Sequence, residues 1–228
     1  MENPLKIEGP IFIGRGWKEY LKFFNLEEHE LQIINILDCA AGASSFTAYM
    51  NMKGFNVTAV DILYDQKCSF LFLKCKVHTN ALMDALTPME GHFVWSFFQD
   101  ITDLKKQRLS ACEDFYKDYR ENQCQNYIKA DLTNLPFKDN SFNLVLCLHL
   151  LFIYDHRLDY DFHINSIKEM LRVTSDEVRI YPLIKHHNKK SPFLKRVIDN
   201  LHHIEIEILK VDYEFRKGAD EMMLLKKI

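Results

Sequence analysis

Hydrophobic residues in the first part of the chain alternate between strand-like runs and helical periodicity. Runs rich in β-branched residues at 33–38 and 55–61 each end in an aspartate. Between them, Phe46 and Met50 recur at the spacing of one helix face. A strand, a helix and a second strand in this order predict a parallel sheet with helices packed on it.

The next strand-like run starts only at residue 126, which is later than the short connections of a doubly wound fold allow. Residues 64–125 carry helical patterns instead, with Cys112, Phe115 and Tyr119 on one face and charges of both signs between them. We therefore expect a helical insertion at 64–125, placed over the sheet edge at which α/β folds bind ligands. Its aromatic residues predict ordinary packing and, in part, an apolar substrate pocket.

Further strand-like runs lie at 126–131, 142–148 and 177–183, and an alternating segment covers 204–228. The run at 142–148 is almost continuously apolar, which is typical of a strand buried on both faces. The alternating segment has a turn at 216–220 and predicts an antiparallel hairpin, with a β-bulge where the phase changes between Ile208 and Leu209. We expect one α/β domain over 1–228, with a mostly parallel seven-stranded sheet that ends in this C-terminal antiparallel hairpin.

Composition narrows the class of protein. Hydrophobic residues make up 47% and charged residues 27% of the 228, which predicts a packed core without extensive disorder. The net charge of −3 argues against a nucleic-acid partner. No apolar run reaches the ~18 residues of a membrane span, and the first residues do not resemble a secretion signal. The six cysteines form no C-x-x-C pair, so we expect a reduced, cytoplasmic protein.

Two aspartates at strand ends, Asp38 and Asp61, carry the clearest chemical signal. A carboxylate after the second strand of such a sheet can accept hydrogen bonds from both hydroxyls of a ribose. The loop after the first strand brings backbone N–H groups and a helix N-terminus to the ligand. Gly42 precedes Asp61 at the spacing that a dinucleotide site also shows. The pattern predicts a nucleoside cofactor without naming one, although a strand-end aspartate can also serve only as a helix cap.

Three segments carry a resemblance to a known family. ILDCAAGASSF, then VTAVD, then YIKADLTNLPFKDNSFNLVLCLHLLF resemble the successive motifs of class I S-adenosylmethionine-dependent methyltransferases. The resemblance covers most of 33–228 outside the insertion, and the closing hairpin matches the last two strands of that family. It implies a methyltransferase that uses S-adenosylmethionine.

The resemblance also implies which residues hold the cofactor. Its amino-acid end would meet the first-strand acid and the loop after it, its ribose the second-strand acid, and its adenine the ends of the second and third strands. The end of the fourth strand would lie near the methyl group. The implied cofactor-binding residues are, in this order, Asp38, Ala40, Gly42, Ala43 and Ser44; Asp61 and Ile62; Asp131 and Leu132; and Cys147.

The first loop departs from the family pattern. The family's acid-x-Gly-x-Gly-x-Gly is here Asp38-x-Ala40-x-Gly42-x-Ser44, so only the middle glycine is kept. A residue other than glycine in a left-handed conformation costs ~1–2 kcal/mol. Ala40 and Ser44 are small enough for the cofactor to approach closely, and the backbone angles at these two positions decide whether the missing glycines matter.

Methyl transfer needs a nucleophile aligned with the methyl group, and a base only where the nucleophile must lose a proton. His149, just past the fourth strand, is the first candidate for a catalytic base, and Tyr154 and Asp155 are weaker candidates. A hydrogen-bonded structural role for His149 is equally compatible with its position. No Asn-Pro-Pro-aromatic motif or Pro-Cys pair follows the fourth strand, which argues against amino-group and cytosine-ring methylation of nucleic acid.

Two polar clusters have alternative interpretations. His156, Asp159 and His163 share one helix face and could hold a metal ion, but surface helix starts often carry such residues, so we expect none. The segment 183–196 carries five cations and two histidines, and we expect a solvated loop that could meet an anionic group of a substrate.

The sequence therefore predicts a cytoplasmic S-adenosylmethionine-dependent methyltransferase that acts on a small or medium-sized acceptor enclosed by the insertion. One alternative is an NAD(P)-dependent oxidoreductase, which shares the loop-to-aspartate spacing but lacks G-x-G-x-x-G. The other is a non-catalytic module that binds S-adenosylmethionine, suggested by the altered glycine loop. Neither the acceptor atom nor the oligomeric state follows from the sequence.

Overall fold

The computed structural model describes residues 9–185 and 188–228. The strands are β1 (Gly14–Arg15), β2 (Asn35–Cys39), β3 (Ala43–Ser44), β4 (Asn56–Asp61), β5 (Tyr127–Lys129), β6 (Phe142–Leu148), β7 (Thr174–Tyr181), β8 (Ile204–Lys210) and β9 (Glu221–Lys227). The α-helices are α1 (Trp17–Phe23), α2 (Phe46–Met52), α3 (Cys68–Leu86), α4 (Ile101–Asn126), α5 (Tyr160–Val173) and α6 (Phe193–Asn200). Two 3₁₀ helices cover Glu28–Leu31 and Thr87–His92.

Seven strands form the main sheet in the order β5-β4-β2-β6-β7-β9-β8. The pairings from β5 through to β7 are parallel, whereas β9 runs antiparallel to both β7 and β8. This confirms the mostly parallel seven-stranded sheet with its C-terminal antiparallel hairpin. Because β2, β4, β5 and β6 run in the same direction, the loops that follow them meet at one edge of the sheet.

The terminal hairpin is more regular than the sequence suggested. Its register runs unbroken from Ile204 opposite Lys227 to Lys210 opposite Glu221, so the β-bulge predicted between Ile208 and Leu209 is wrong. The change of phase has another cause, because this edge strand packs different faces at its two ends. Ile204 and its neighbour Ile206 contact the core below the sheet, while Leu209 contacts the core on the opposite side.

The sheet is buried on both faces. Leu37 and Val145 pack towards α5 and α6, whereas Ile36 and Leu146 pack towards α1 and α2. This is the alternation that the two-residue period of a strand requires, and it explains why the run that forms β6 is apolar throughout.

The chain between β4 and β5 is largely helical, but its helices pack in two layers. In α4, Cys112, Phe115 and Tyr119 are buried against the aromatic rings of Tyr64 and Tyr127, so this helix covers the sheet edge and leads directly into β5. We therefore interpret α4 as the crossover helix of the β4–β5 unit. We propose that α3 and the 3₁₀ helix after it are the added part of the segment 64–125. Within 9–185 and 188–228, no helix is long and apolar enough to cross a membrane.

Candidate functional site

A cavity of about 1110 Å³ opens at the carboxyl edge of the parallel strands. At one end its wall is formed by the loops after β2, β4, β5 and β6. At the other end it extends between the N-terminal segment 9–15, the end of α3 and the turn before β9. The volume exceeds the ~300–1,000 Å³ of a pocket for one drug-sized ligand, so the space suffices for a cofactor and a second small molecule.

Asp61 lies at the end formed by the strand loops, with both carboxylate oxygens oriented by backbone groups. Its Oδ2 accepts a hydrogen bond from the N–H of Gly42 at 3.1 Å, and its Oδ1 accepts one from the N–H of Leu63 at 2.9 Å. Burial raises the pKa of this carboxyl, and the two N–H donors oppose the rise. Each oxygen keeps a lone pair for a further donor, which is the requirement for binding two ribose hydroxyls.

Eight of the predicted site residues border the cavity, and four do not. Those that border it are Ala40, Gly42, Asp61, Ile62, Asp131, Leu132, His149 and Tyr154. Those outside its lining are Asp38, Ala43, Ser44 and Cys147, all of them buried. Asp38 and Cys147 are inside strands, and their side chains leave the faces of the sheet rather than its edge.

Asp38 reaches the cavity only through a neighbour. Its Oδ1 accepts a hydrogen bond from the hydroxyl of Tyr20 at 3.3 Å, and Tyr20 itself borders the cavity. Its Oδ2 is buried and has no hydrogen-bond partner within 9–185 and 188–228, and burial raises the pKa of the carboxyl well above its usual range. Asp38 therefore contacts Tyr20 and not the cavity itself, and its role in cofactor binding stays a prediction.

In the loop after β2, one of the two positions that lack the family's glycine has a left-handed backbone, and the other does not. Ala40 has φ 53° and Gly42 has φ 58°, both in the left-handed region. Ser44 belongs to β3, which pairs with β1, and its hydroxyl accepts a hydrogen bond from the N–H of Phe46 at 2.9 Å. A glycine would relieve strain at position 40, whereas the serine at position 44 contributes a bond of its own.

His149 borders the cavity immediately after β6. Its φ is 52°, and its N–H donates to the carbonyl of Tyr181 at 2.7 Å, which holds the ring between Phe23 and Tyr181. Burial lowers the pKa of the imidazole well below its usual range, and the positive charges of Arg15, Arg108 and Arg216 lower it further. The ring is neutral at pH 7, so it has the charge state of a proton acceptor, and its buried Nδ1 has no hydrogen-bond partner among the described residues.

Tyr154 already makes one backbone contact. Its hydroxyl oxygen accepts a hydrogen bond from the N–H of Ile11 at 3.0 Å, and burial raises the pKa of the phenol. The hydroxyl can still donate its own proton into the cavity. Its first role in this geometry is to hold the N-terminal segment 9–15 in place.

The cavity also contains charged residues that sequence reasoning missed. Arg15 and Arg216 border it, and a buried pair, Glu19 with Arg108, lies beside it. The Glu19 carboxylate accepts from both terminal nitrogens of Arg108 and from the hydroxyl of Tyr213. None of these residues follows a strand-end motif, and only the long-range fold brings them together.

The structure describes most residues of the two polar clusters, the group at His156, Asp159 and His163 and the segment 183–196. His163 is buried, its Nε2 accepts from the N–H of Phe152, and its Nδ1 lies 2.6 Å from the carbonyl of Asp159. Both ring nitrogens therefore face backbone groups, and Asp159 caps α5. No group of three metal-binding side chains occurs among the described residues. In the segment 183–196, the histidines at 186 and 187 lie outside the described residues. Asn188 and Ile184 lie beside Gly218, in the turn before β9.

Comparisons with known proteins agree with this geometry. The sequence model of a family described as a methyltransferase domain matches residues 101–181. The uncharacterized protein MJ0045 of Methanocaldococcus jannaschii is 35% identical over 224 residues, which is 98% of this chain and 99% of that protein. The fold is similar to that of PH0226 from Pyrococcus horikoshii OT3, at a TM-score of 0.51 and 14% identity over 93% of this chain and 91% of that one. The magnesium protoporphyrin IX methyltransferase ChlM from Synechocystis PCC 6803, solved with bound S-adenosylmethionine, gives a TM-score of 0.45 and 13% identity over 88% and 73% of the two chains.

The sheet order defines a mostly parallel α/β protein with an antiparallel C-terminal hairpin. Together with the methyltransferase-domain match and the match to a relative over nearly the whole chain, it places the chain in the class I S-adenosylmethionine-dependent methyltransferase family. The cofactor of that family is S-adenosylmethionine. The antiparallel β9 between β7 and β8 also separates this sheet from the dinucleotide-binding order of an NAD(P)-dependent oxidoreductase.

Proposed function

We propose that this protein transfers the methyl group of S-adenosylmethionine to a small or medium-sized acceptor bound in the same cavity. The observation that carries the proposal is the continuity of that cavity. One space joins the ribose-type carboxylate of Asp61 to a chamber bordered by His149 and Tyr154. A cofactor and an acceptor could therefore meet inside the protein, with bulk water excluded.

The residues at the cofactor end fit the group that the family uses. Asp61 offers an oriented carboxylate, Ile62 presents a 59% exposed apolar side chain beside it, and Leu132 lies across the cavity. Asp131 is held by the N–H and hydroxyl of Thr133, both at 2.8 Å. A carboxylate for a ribose, an apolar side chain for a purine face and a second carboxylate for an amine match the parts of an adenosine.

The bound cofactor supplies an electrophilic methyl group, and this chain would supply alignment and proton handling. His149 is neutral and can take a proton from an acceptor that must lose one. Tyr154 and Tyr20 border the same space and can donate hydrogen bonds to an acceptor or to the cofactor. These roles for His149 and Tyr154 are part of the proposal.

Calorimetric titration with S-adenosylmethionine and S-adenosylhomocysteine tests the cofactor part. We expect both to bind, and Asp61→Asn to weaken binding roughly 10- to 100-fold, since hydrogen bonds to a charged group contribute ~1.5–3 kcal/mol. The amide oxygen of the variant can still accept from a loop N–H. Asp65→Asn is the matched control, because Asp65 is exposed, pairs with Lys129 and does not border the cavity.

Absence of binding by the wild-type protein, or an equal loss in both variants, would contradict the cofactor assignment. Methyl transfer is tested separately, with methyl-labelled cofactor added to fractionated small-molecule extracts. A labelled product supports the enzyme. Cofactor binding without a labelled product in any fraction would favour the non-catalytic module.

A further inference from the structure

Arg15 is a cation that borders the cavity and has no ion-pair partner among the described residues. It ends β1, its backbone pairs with Ser44, and its side chain borders the cavity while remaining only partly accessible. Among the described residues, no carboxylate or carbonyl forms an ion pair or hydrogen bond with its guanidinium. An arginine that is largely removed from water and lacks an anion is costly, because its desolvation is not offset.

Among the described residues, the carboxylate whose charge acts on Arg15 is that of Glu19, and it is already bound to other side chains. Glu19 binds both terminal nitrogens of Arg108 and the hydroxyl of Tyr213. Burial lowers the pKa of the Arg15 guanidinium, and Arg108 lowers it further, while Glu19 acts in the opposite direction as a weaker influence. Glu19 and Arg108 thus neutralise each other, and this pair does not compensate the charge of Arg15.

The rest of the chamber has the same sign. Arg216 also borders it, with its Nε donating to the Asn188 side chain at 3.2 Å. Among the described residues that line the whole cavity, the only carboxylates are Asp61 and Asp131, and both lie at the cofactor end. Among the described lining residues, the chamber at the other end therefore has cationic side chains and no carboxylate.

The walls around these cations are apolar and aromatic. Phe93 stacks on Phe215 with ring centroids 4.9 Å apart, and Tyr181 and Tyr213 border the same chamber. Leu86, at the end of α3, closes it from the side. Such walls favour a flat or apolar molecule, and the guanidinium fork favours a planar carboxylate or a phosphate.

We propose that the acceptor is an apolar, preferably aromatic molecule with one anionic group, a carboxylate or a phosphate monoester, and that Arg15 binds this group. The inference rests on the proposed function, because it treats the chamber as the acceptor site. The anion supplies the partner that Arg15 lacks and fixes the orientation of the molecule. Its body lies between the aromatic walls, with the methyl-accepting end towards His149.

Three naphthalene probes of similar shape and different charge test this. Binding of 6-hydroxy-2-naphthoate, 2-naphthyl phosphate and neutral 6-hydroxy-2-naphthamide is measured by calorimetry, with the protein free and saturated with S-adenosylhomocysteine. At least one of the two anions should bind the wild-type protein tenfold or more tightly than the amide does. Arg15→Gln should weaken the binding of that anion at least tenfold and leave the binding of the amide unchanged. Arg15→Lys should give an intermediate loss of affinity, because lysine keeps the charge but lacks the two-pronged guanidinium.

Lys18→Gln is the matched control, since it removes an equal charge three residues away from an exposed position. We expect it to leave all three affinities unchanged, and circular dichroism verifies that each variant is folded. The anion that binds more tightly identifies the carboxylate or the phosphate as the group recognised. Equal binding of anions and amide, equal losses in Arg15→Gln and Lys18→Gln, or the lack of any Arg15-dependent anion binding would overturn the inference.

The proposed function can fail independently of this inference. If S-adenosylhomocysteine does not bind but the free protein binds an anion through Arg15, the chamber is an anion site and the methyltransferase proposal is wrong. If S-adenosylhomocysteine binds and no probe depends on Arg15, the methyltransferase proposal stands and this assignment of the acceptor is wrong.

Discussion

Ala40 is a residue at which this chain bears a local cost that its family usually avoids. With φ 53°, its side chain stands in the left-handed region, where a Cβ costs ~1–2 kcal/mol. Ala40→Gly should relieve that strain, offset in part by the ~0.5–1 kcal/mol of extra freedom that glycine gives the unfolded chain. We expect a net stabilisation of about 0.5–1 kcal/mol, measured by urea denaturation.

Ser44 provides the contrast for that measurement. It occupies the other position where the family has glycine, but its φ is not positive and its hydroxyl accepts from the N–H of Phe46. Ser44→Gly should therefore destabilise the protein by ~1–2 kcal/mol, from the lost bond and the added freedom of the unfolded chain. If both glycines shift stability in the same direction, the backbone angles are not the reason for the difference.

At the residue scale, the sequence predicts what sits at a strand end and little else. Asp61 and Gly42 could be placed from their spacing, because the loops after parallel strands meet at one edge. Arg15 could not, since it follows no periodic run and the side chains that act on its charge include Arg108, Tyr154 and Tyr213, which are 93 and more positions away along the chain. The partners of a charge depend on tertiary packing, which a local pattern does not contain.

At the scale of elements, the contact between β1 and α4 is unusually close. A Cβ added at Gly14 would lie 1.9 Å from the carbonyl oxygen of Arg108 and 2.8 Å from the backbone nitrogen of Cys112. Neither atom is a flexible side-chain end, so the strand and the helix would have to separate. Gly14 is thus the residue that lets β1 lie against the helix and brings Arg15 to the cavity.

Gly14→Ala should destabilise the protein by at least about 2 kcal/mol, because overpacking against backbone cannot be relieved by rotamers. For a chain of this length, that corresponds to a fall in Tm of roughly 5 °C. Gly91→Ala is the control, since nothing lies within 4 Å of a Cβ there and its Tm should hardly change. A Gly14→Ala protein as stable as the control would show that the approach of β1 to α4 adjusts freely.

The elements themselves were largely predictable. Apolar runs bounded by turns located the seven strands of the sheet, and β6 has the predicted bounds of 142–148. The prediction was wrong between Ile208 and Leu209, where the change of phase predicts a β-bulge and the register of the hairpin is unbroken. An edge strand can bury one face at its start and the other at its end, and a sequence read in isolation does not distinguish this from a bulge.

At the scale of the molecule, the N-terminal segment 9–15 crosses one side of the cavity. Among the described residues, three hydrogen bonds with side chains hold its first part, 9–12: the N–H of Ile11 donates to Tyr154, the N–H of Phe12 donates to Nδ1 of His78 at 2.9 Å, and Arg157 donates to the carbonyl of Gly9 at 2.6 Å. The segment borders the cavity along much of its length. A ligand as large as the cofactor should therefore enter and leave as these contacts break and re-form.

Tyr154→Phe removes one of the three contacts and keeps the ring. A net hydrogen bond contributes ~1 kcal/mol, so we expect S-adenosylhomocysteine to dissociate about fivefold faster in stopped-flow measurements. Hydrogen exchange at the amide of Ile11 should accelerate in parallel. Tyr160→Phe is the control, because its hydroxyl donates to the carbonyl of Arg196 and Tyr160 does not border the cavity. Unchanged dissociation and exchange, combined with a lower kcat, would instead assign the Tyr154 hydroxyl to the acceptor and not to the segment that covers it.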